Sequence, residues 1–268
     1  MLYTKSFLMR YHQGNIKKLM KQFYLLFFVY IFNGSFLFAQ EASEKVNDGD
    51  ILSAGIAYGI NFPGGDLKDR YGENLHFSVF GKHITKANFL YGIDFTFMFG
   101  NDVKEDVLKN FRTPEGFYLG SGGLGTDVFL RQRGLTLTAM TGKIFPLKAG
   151  NRSGIKAAIG AGILQHNIRF LDDNNAIAQL GGDLRRGYDR MSRGFTLRQE
   201  LGYVILSKNR RLNFDFSFVF FQGFTKEIRP VNFDTGLPSN ASRLDLGFGL
   251  QLAWILPFYI NSSETVYY

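Results

Sequence analysis

Residues 243–258, RLDLGFGLQLAWILPF, constrain this chain more than any other stretch. Leu244, Leu246, Phe248, Leu250, Leu252, Trp254 and Leu256 share one parity, while Arg243, Asp245, Gly247, Gly249, Gln251 and Ala253 share the other. Alternation with period two belongs to an extended strand, whose successive side chains leave opposite faces of the backbone. The run is longer and more aromatic than a half-buried strand of a soluble protein. It reads as a strand that crosses a bilayer and closes a β-barrel.

Seven further runs repeat the pattern. The first covers residues 51–62 and stops at the turn cluster Pro63-Gly64-Gly65-Asp66, followed by a polar connection through Lys68, Asp69 and Arg70. The next two are 75–84 and 89–99, joined by a tight turn at 85–88; Phe89, Tyr91, Ile93, Phe95, Phe97 and Phe99 share a face in the latter. An excursion over 100–125 follows, where Val103, Val107 and Phe111 predict a short helix at 104–111. Residues 126–145 form a fourth strand with a predicted bulge at 131–134, where the alternation breaks. Strands at 154–168, 194–206 and 212–221 complete the set, separated by a charged excursion at 169–193 and a turn at 207–211, with a loop at 222–242. Connections alternate long and short, and Pro63, Pro114, Pro146, Pro230, Pro238 and Pro257 all fall in loops or at strand ends. Both facts suit an even-stranded up-and-down barrel, which has no edge strand to tolerate an interior proline. The expected fold is all-β: an eight-stranded antiparallel up-and-down transmembrane β-barrel over residues 51–258, with a C-terminal tail at 259–268.

A lipocalin-like soluble ligand carrier has the same topology turned inside out. The second parity separates the two, because a water-facing surface would carry Lys, Glu and Arg at most positions. Here it holds mainly Gly, Ala, Ser, Thr and Asn, which suit the cramped lumen of eight strands. Aromatic content of 16% and 31 glycines fit the same reading. The mean hydropathy of −0.08 does not oppose it, since only alternate strand residues meet lipid.

The N-terminus is built like an export signal. Met20-Lys21 precede a greasy run over 22–38, then Ala39-Gln40 and a polar lead-in at 41–50. The expected division is an upstream extension at 1–19 and a signal peptide at 20–40. Residues 23–38 are short of the ~20 that a spanning helix needs. The net charge of +8 falls to +3 once Lys5, Arg10, Lys17, Lys18 and Lys21 are set aside, leaving 26 basic against 23 acidic residues. A nucleic-acid partner loses its support with them. The absence of cysteine excludes disulfides, thiolate metal sites and a cysteine nucleophile.

Charged residues on the inward parity are Lys82, Asp94, Lys156, Arg198, Glu200, Asp215 and Asp245, with Arg243 near one mouth. Both signs occur, as buried charges require, and they are expected to form a structural charge network filling the lumen. Arg185, Arg186, Arg190 and Arg193 in the third long loop are candidate contacts for phosphate groups of lipopolysaccharide or an acidic partner. His76, His83 and His166 are the histidines beyond the leader. His76 lies two residues from Ser78, but no triad-like set emerges. The run Asp172-Asp173-Asn174-Asn175 lacks the alternate spacing and closing Glu of a calcium loop. No enzyme activity, metal or cofactor is expected.

The leader ending FLFAQ, the segment GIAYGINFPGGDLKDRYG at 55–72 and the glycine-containing, aromatic-ending last strand resemble the small outer-membrane barrels of Bacteroidota, a group that includes PorT-like and OmpA-type barrel domains. The resemblance implies an outer-membrane location, insertion by the barrel assembly machinery and contact with outer-membrane lipid. It leaves open a structural or anchoring role, an accessory role in a secretion or envelope-assembly complex, and a lipid-modifying activity. The residues YINSSETVYY after Phe258 depart from the pattern, since such barrels often finish on the last aromatic.

Overall fold

A computed structural model describes residues 49–260 except 121, 122, 124, 149, 173–176, 178, 179, 208–211 and 239. The expected extension, export signal and most of the lead-in therefore lie outside the described residues, as do 261–268. Eight strands form the wall: β1 (Asp50–Gly65), β2 (Asn74–Ile84), β3 (Phe89–Gly100), β4 (Phe129–Pro146), β5 (Gly154–Leu171), β6 (Ser192–Leu206), β7 (Asn213–Glu227) and β8 (Ser242–Ile260). Each pairs antiparallel with its neighbours in sequence, and β1 pairs with β8 from Asp50↔Ile260 to Gly65↔Asp245 to close the ring. Closure removes both free edges, so strand backbone groups find partners within the wall.

The period-two pattern determines what faces each way. Along β7, Asp215, Ser217 and Thr225 are buried, whereas Phe216 and Phe218 are 55% and 48% exposed. Ile159 and Leu201 stand 62% and 60% exposed on neighbouring strands, while Asp94 and Lys156 are at 0%. The wall is apolar outside and polar inside, the reverse of a soluble barrel. Among the described residues, no helix is long and apolar enough to cross a membrane.

Several boundaries differ from the sequence expectation. β7 continues six residues beyond Phe221 to Glu227, because Gly223, Thr225 and Glu227 keep the inward parity after the greasy run ends. No bulge occurs at 131–134: β4 pairs with β5 without interruption from Phe129↔Leu171 to Pro146↔Gly154. The apparent break arises because Arg131 and Arg133 occupy the outward parity, their guanidiniums 5.9 and 6.0 Å from the Phe129 and Phe97 rings. The predicted helix at 104–111 is reduced to a 3-10 turn at Lys109–Phe111, with Val107 and Leu108 buried below it. A one-turn helix, Leu67–Arg70, stands instead in the first connection. Pairing also runs through two prolines. Pro63 faces Gly247, and Pro257 faces Ser53. At Pro257 the other side of β8 is already unpaired, since its ladder with β7 ends at Trp254↔Phe214, so no bond to β7 is lost.

The lumen is filled in three layers. At the end bearing the short connections, Ile51, Phe80, Ile84, Leu90, Ile144 and Leu206 form an apolar plug. Phe80 lies over Gly55, where a Cβ would stand 2.3 Å from its ring. A polar layer follows. At the far end Leu67, Tyr71, Met98, Leu164, Ile168 and Phe221 pack under the long connections. Arg152 ties the short-connection end together, donating to Asn88 Oδ1 (2.8 Å) and to the carbonyls of Thr85 (2.6 Å) and Gly49 (2.5 Å).

Candidate functional site

β5, β6 and β7 project Lys156, Glu200 and Asp215 into the middle layer because all three sit on the inward parity within two residues of one register row, Lys156–Gly202–Ser217. Lys156 Nζ lies 2.7 Å from Glu200 Oε2 and also bonds Asp215 Oδ2. Arg198 Nε reaches Glu200 Oε1 at 2.8 Å, and its Nη1 lies 3.7 Å from Asp94. Lys82 Nζ completes the group 4.0 Å from Glu200. Three cations thus face three carboxylates, and Ser217, Thr96 and Ser78 extend the network by hydroxyl bonds. Such balance is what allows ions to be kept out of water at all.

Arg243 and Asp245 do not join this layer. They belong to a second cluster nearer the long connections, because Asp245 sits far along β8 from the level of Asp215. Asp245 accepts from Thr225 Oγ1 (2.5 Å) and lies 2.8 Å from His166 Nε2 and 3.3 Å from Arg243 Nε. His166 Nδ1 faces the Tyr71 hydroxyl at 3.4 Å. His76 and Ser78 do not bond each other: His76 Nε2 faces Gln251 Oε1 at 3.2 Å, and Ser78 Oγ faces Thr96 Oγ1 at 2.7 Å. Among the described residues, no group of three or more His, Asp or Glu is arranged to hold a metal.

Beyond the lumen, the long connections are locked into a cap by ion pairs that the sequence does not reveal. Arg70, from the one-turn helix after β1, donates through Nε to Glu105 (2.6 Å) and through Nη2 to Glu227 (2.5 Å). Its Nη1 reaches the Arg190 carbonyl and Ser192 Oγ, both at 3.1 Å. Arg190 bonds Glu105 (2.5 Å) and forms a two-bond fork with Asp234 (2.8 and 2.6 Å). Arg229 makes a similar fork with Asp189. All four long connections are therefore joined through guanidiniums, whose planar donors suit two carboxylates at once. Burial disfavours the charged form of Glu105, but Arg70 and Arg190 outweigh it and hold the carboxyl below its ordinary range.

An aromatic ladder, Phe111–Tyr188–Phe233, surfaces through this cap with ring centroids 5.5 and 5.6 Å apart. Phe233 donates its N–H to the Gly187 carbonyl (2.9 Å), and its ring covers Gly187 so closely that a Cβ there would overlap it. It is nonetheless 51% exposed. Arg185 and Arg186 of the 3-10 turn Leu184–Gly187 are exposed nearby in sequence. The other two loop arginines do not share that surface. Arg190 is turned inward to Glu105 and Asp234 by a left-handed backbone (φ 50), and Arg193 lies on the outer wall, bonded to Gln165 Oε1.

Among the described residues the lumen is filled along its length: an apolar plug lies at one end, the salt-bridged layer in the middle, and the packed residues under the long connections at the other. Purified chain reconstituted in planar bilayers is expected to show no unitary current steps; regular steps in the wild type would contradict the filled interior.

No family model matches the chain, and no curated protein matches it. Among solved structures it is similar to Neisserial surface protein A, with 11% identity and a TM-score of 0.41, over 78% of this chain and 99% of that one. It is also similar to the attachment invasion locus protein of Yersinia pestis in complex with the heparin analogue sucrose octasulfate (8% identity, TM-score 0.41, 78% and 99% covered). A third is the outer membrane protein OprG from Pseudomonas aeruginosa (11% identity, TM-score 0.34, 82% and 100% covered). These are small outer-membrane β-barrel proteins. At such identities no residue role passes from them to this chain.

Proposed function

We propose that this chain is a non-enzymatic outer-membrane β-barrel that anchors a rigid loop cap at the cell surface, where the cap docks an acidic or phosphate-bearing partner. The observation that carries the reading is the cap itself. Four connections are locked by buried ion pairs over the filled lumen, and they present a half-exposed Phe233 bonded to Gly187, the residue that follows the exposed Arg185 and Arg186. An ordered loop surface has little conformational entropy left to lose on binding, which is how a platform gains affinity.

The outward rows of Phe, Leu and Ile support the membrane location, since a contiguous exposed apolar surface of this extent is stable against hydrocarbon and not against water. In this orientation the short connections, the start of β1 and the end of β8 face the periplasm. Export through a cleaved signal and insertion by the barrel assembly machinery belong to the same reading. The resemblance to PorT-like barrels, on the residues quoted for it above, supports an accessory subunit of a secretion or envelope-assembly complex as an alternative form of the docking role.

Outer-membrane fractionation with a heat-modifiable gel shift tests the location; a soluble periplasmic chain lacking the shift would sink it. Affinity capture from detergent-solubilised envelopes tests the docking role. Phe233→Ala and Arg185→Glu/Arg186→Glu are expected to keep the heat shift and lose the co-purifying partner by roughly tenfold, the scale of one aromatic or charged anchor. Equal capture by wild type and both variants would remove the cap from the reading.

A further inference from the structure

The rim of the outer wall below the cap carries charge of one sign on β4 to β7. Climbing from the middle of the wall, the outward row Leu137, Ile163, Phe195, Phe224 is apolar throughout and exposed. The next row is Leu135, Gln165, Arg193, Lys226, and above it stand Arg133 opposite Asn167 and Arg131 opposite Arg169. Arg169, Arg193 and Lys226 are exposed, and Arg131 and Arg133 are partly so. No carboxylate shares these rows. Among the described residues none of these five cations makes an ion pair.

The register makes the arrangement costly. Arg131 lies directly across the ladder from Arg169, and Arg193 directly across from Lys226. Like charges opposite one another on adjacent strands repel and destabilise the pairing. The charges felt by Arg133 are those of Arg169 and Arg131, again of its own sign. The described hydrogen bonds go to neutral groups: Arg133 donates to the Gln132 carbonyl (2.7 Å) and Arg193 to Gln165 Oε1 (2.8 Å). The rim beside β1 to β3 is different, since Lys68 and Lys104 stand there with Glu73 and Asp102 around one hollow.

We propose that the rim of β4 to β7 below the cap binds the phosphate groups of a glycolipid of the lipid A type, whose acyl chains lie on the apolar row beneath. This rests on the membrane location and the outward-facing cap proposed above. A phosphate set between Arg131 and Arg169, or between Arg193 and Lys226, turns a repelling pair into two charge-assisted bonds. The occupant must also match the row beneath, where Leu137, Ile163, Phe195 and Phe224 meet hydrocarbon. A soluble anion answers the cations alone. A diacyl phospholipid brings one phosphate to two separate cation pairs. An acylated sugar with more than one phosphate answers both pairs and the apolar row.

The test titrates the full chain, folded in detergent, with bisphosphorylated lipid A and counts complexes by native mass spectrometry. Wild type is expected to hold it at least about tenfold more tightly than dephosphorylated lipid A or phosphatidylglycerol. Arg131→Gln/Arg169→Gln and Arg193→Gln/Lys226→Gln are each expected to lose roughly tenfold in affinity. Both should fold in phosphatidylcholine vesicles at least as well as wild type, because each removes a like-charge pair. Lys68→Gln/Lys104→Gln on the far rim is expected to bind as wild type does. Equal binding of dephosphorylated lipid A or phosphatidylglycerol, or displacement of lipid A by equimolar inorganic pyrophosphate, overturns the inference. Unchanged affinity in both rim variants overturns it too, and in each case the membrane location stands if the heat shift is present. Absence of the heat shift in the wild type overturns the location, and this inference with it.

Discussion

Lys156→Met is expected to destabilise the barrel by about 3–5 kcal/mol, the cost of leaving a buried ion without its partner. Lys156 is at 0% exposure and bonds both Glu200 and Asp215. Glu200 would retain Arg198 at 2.8 Å, but Asp215 would keep only the Ser217 hydroxyl among the contacts described. Bulk water cannot replace the lost ammonium, because the apolar plug and the cap close the lumen on either side. Trp254, the single tryptophan, faces outward on β8 and reports unfolding from phospholipid vesicles in urea. Lys156→Met/Asp215→Asn is expected to recover most of the loss, since removing both charges restores the balance. A single variant within about 1 kcal/mol of wild type would show that the layer is hydrated or slack, and that its ions do not hold the wall.

Much of the wall could be read from parity alone, because lipid outside and a packed lumen inside both select on every second residue. That logic weakens where either constraint relaxes. At the rim of β4, Arg131 and Arg133 take outward positions above the apolar belt, and the pattern looks broken although the ladder continues. At the end of β7, Gly223, Thr225 and Glu227 keep their parity after the aromatics stop. The inward charges could be found from parity, but not their division into two clusters, which depends on how far along β8 each sits. The cap was illegible for a different reason. Arg70 and Glu227 are 157 residues apart, Arg70 and Glu105 are 35 apart, and no local period relates them. The inward turn of Arg190 comes from one left-handed residue, which nothing in an arginine-rich loop announces.

Arg190→Ala is expected to open the cap while leaving the barrel intact. The side chains of Arg190 and Asp234 are 5% and 4% exposed, and their fork joins the third long connection to the fourth, while Glu105 adds the second. Without the guanidinium, Asp234 stays in a shielded place with no cation, and the cheapest escape is for residues 228–241 to swing out to water. A loss of roughly 3 kcal/mol raises the open population about a hundredfold. Proteolysis from outside intact cells should then cut this connection much faster, with the heat shift unchanged. Arg190→Gly separates strain from pairing, because it frees the left-handed backbone but loses the same bonds. Protection equal to wild type in both variants would mean that the ion pairs do not order the cap. The pH dependence follows from Glu105, whose carboxyl is held low by Arg70 and Arg190 against the opposing effect of burial. A group depressed on folding contributes stability above its unfolded value of about 4.3, and that contribution disappears as pH falls through the lower folded value. Wild-type protection should therefore persist to about pH 5 and fade below about pH 4. In Arg190→Ala, Glu105 keeps one guanidinium where it had two, so the residual protection should fade at a higher pH than in wild type.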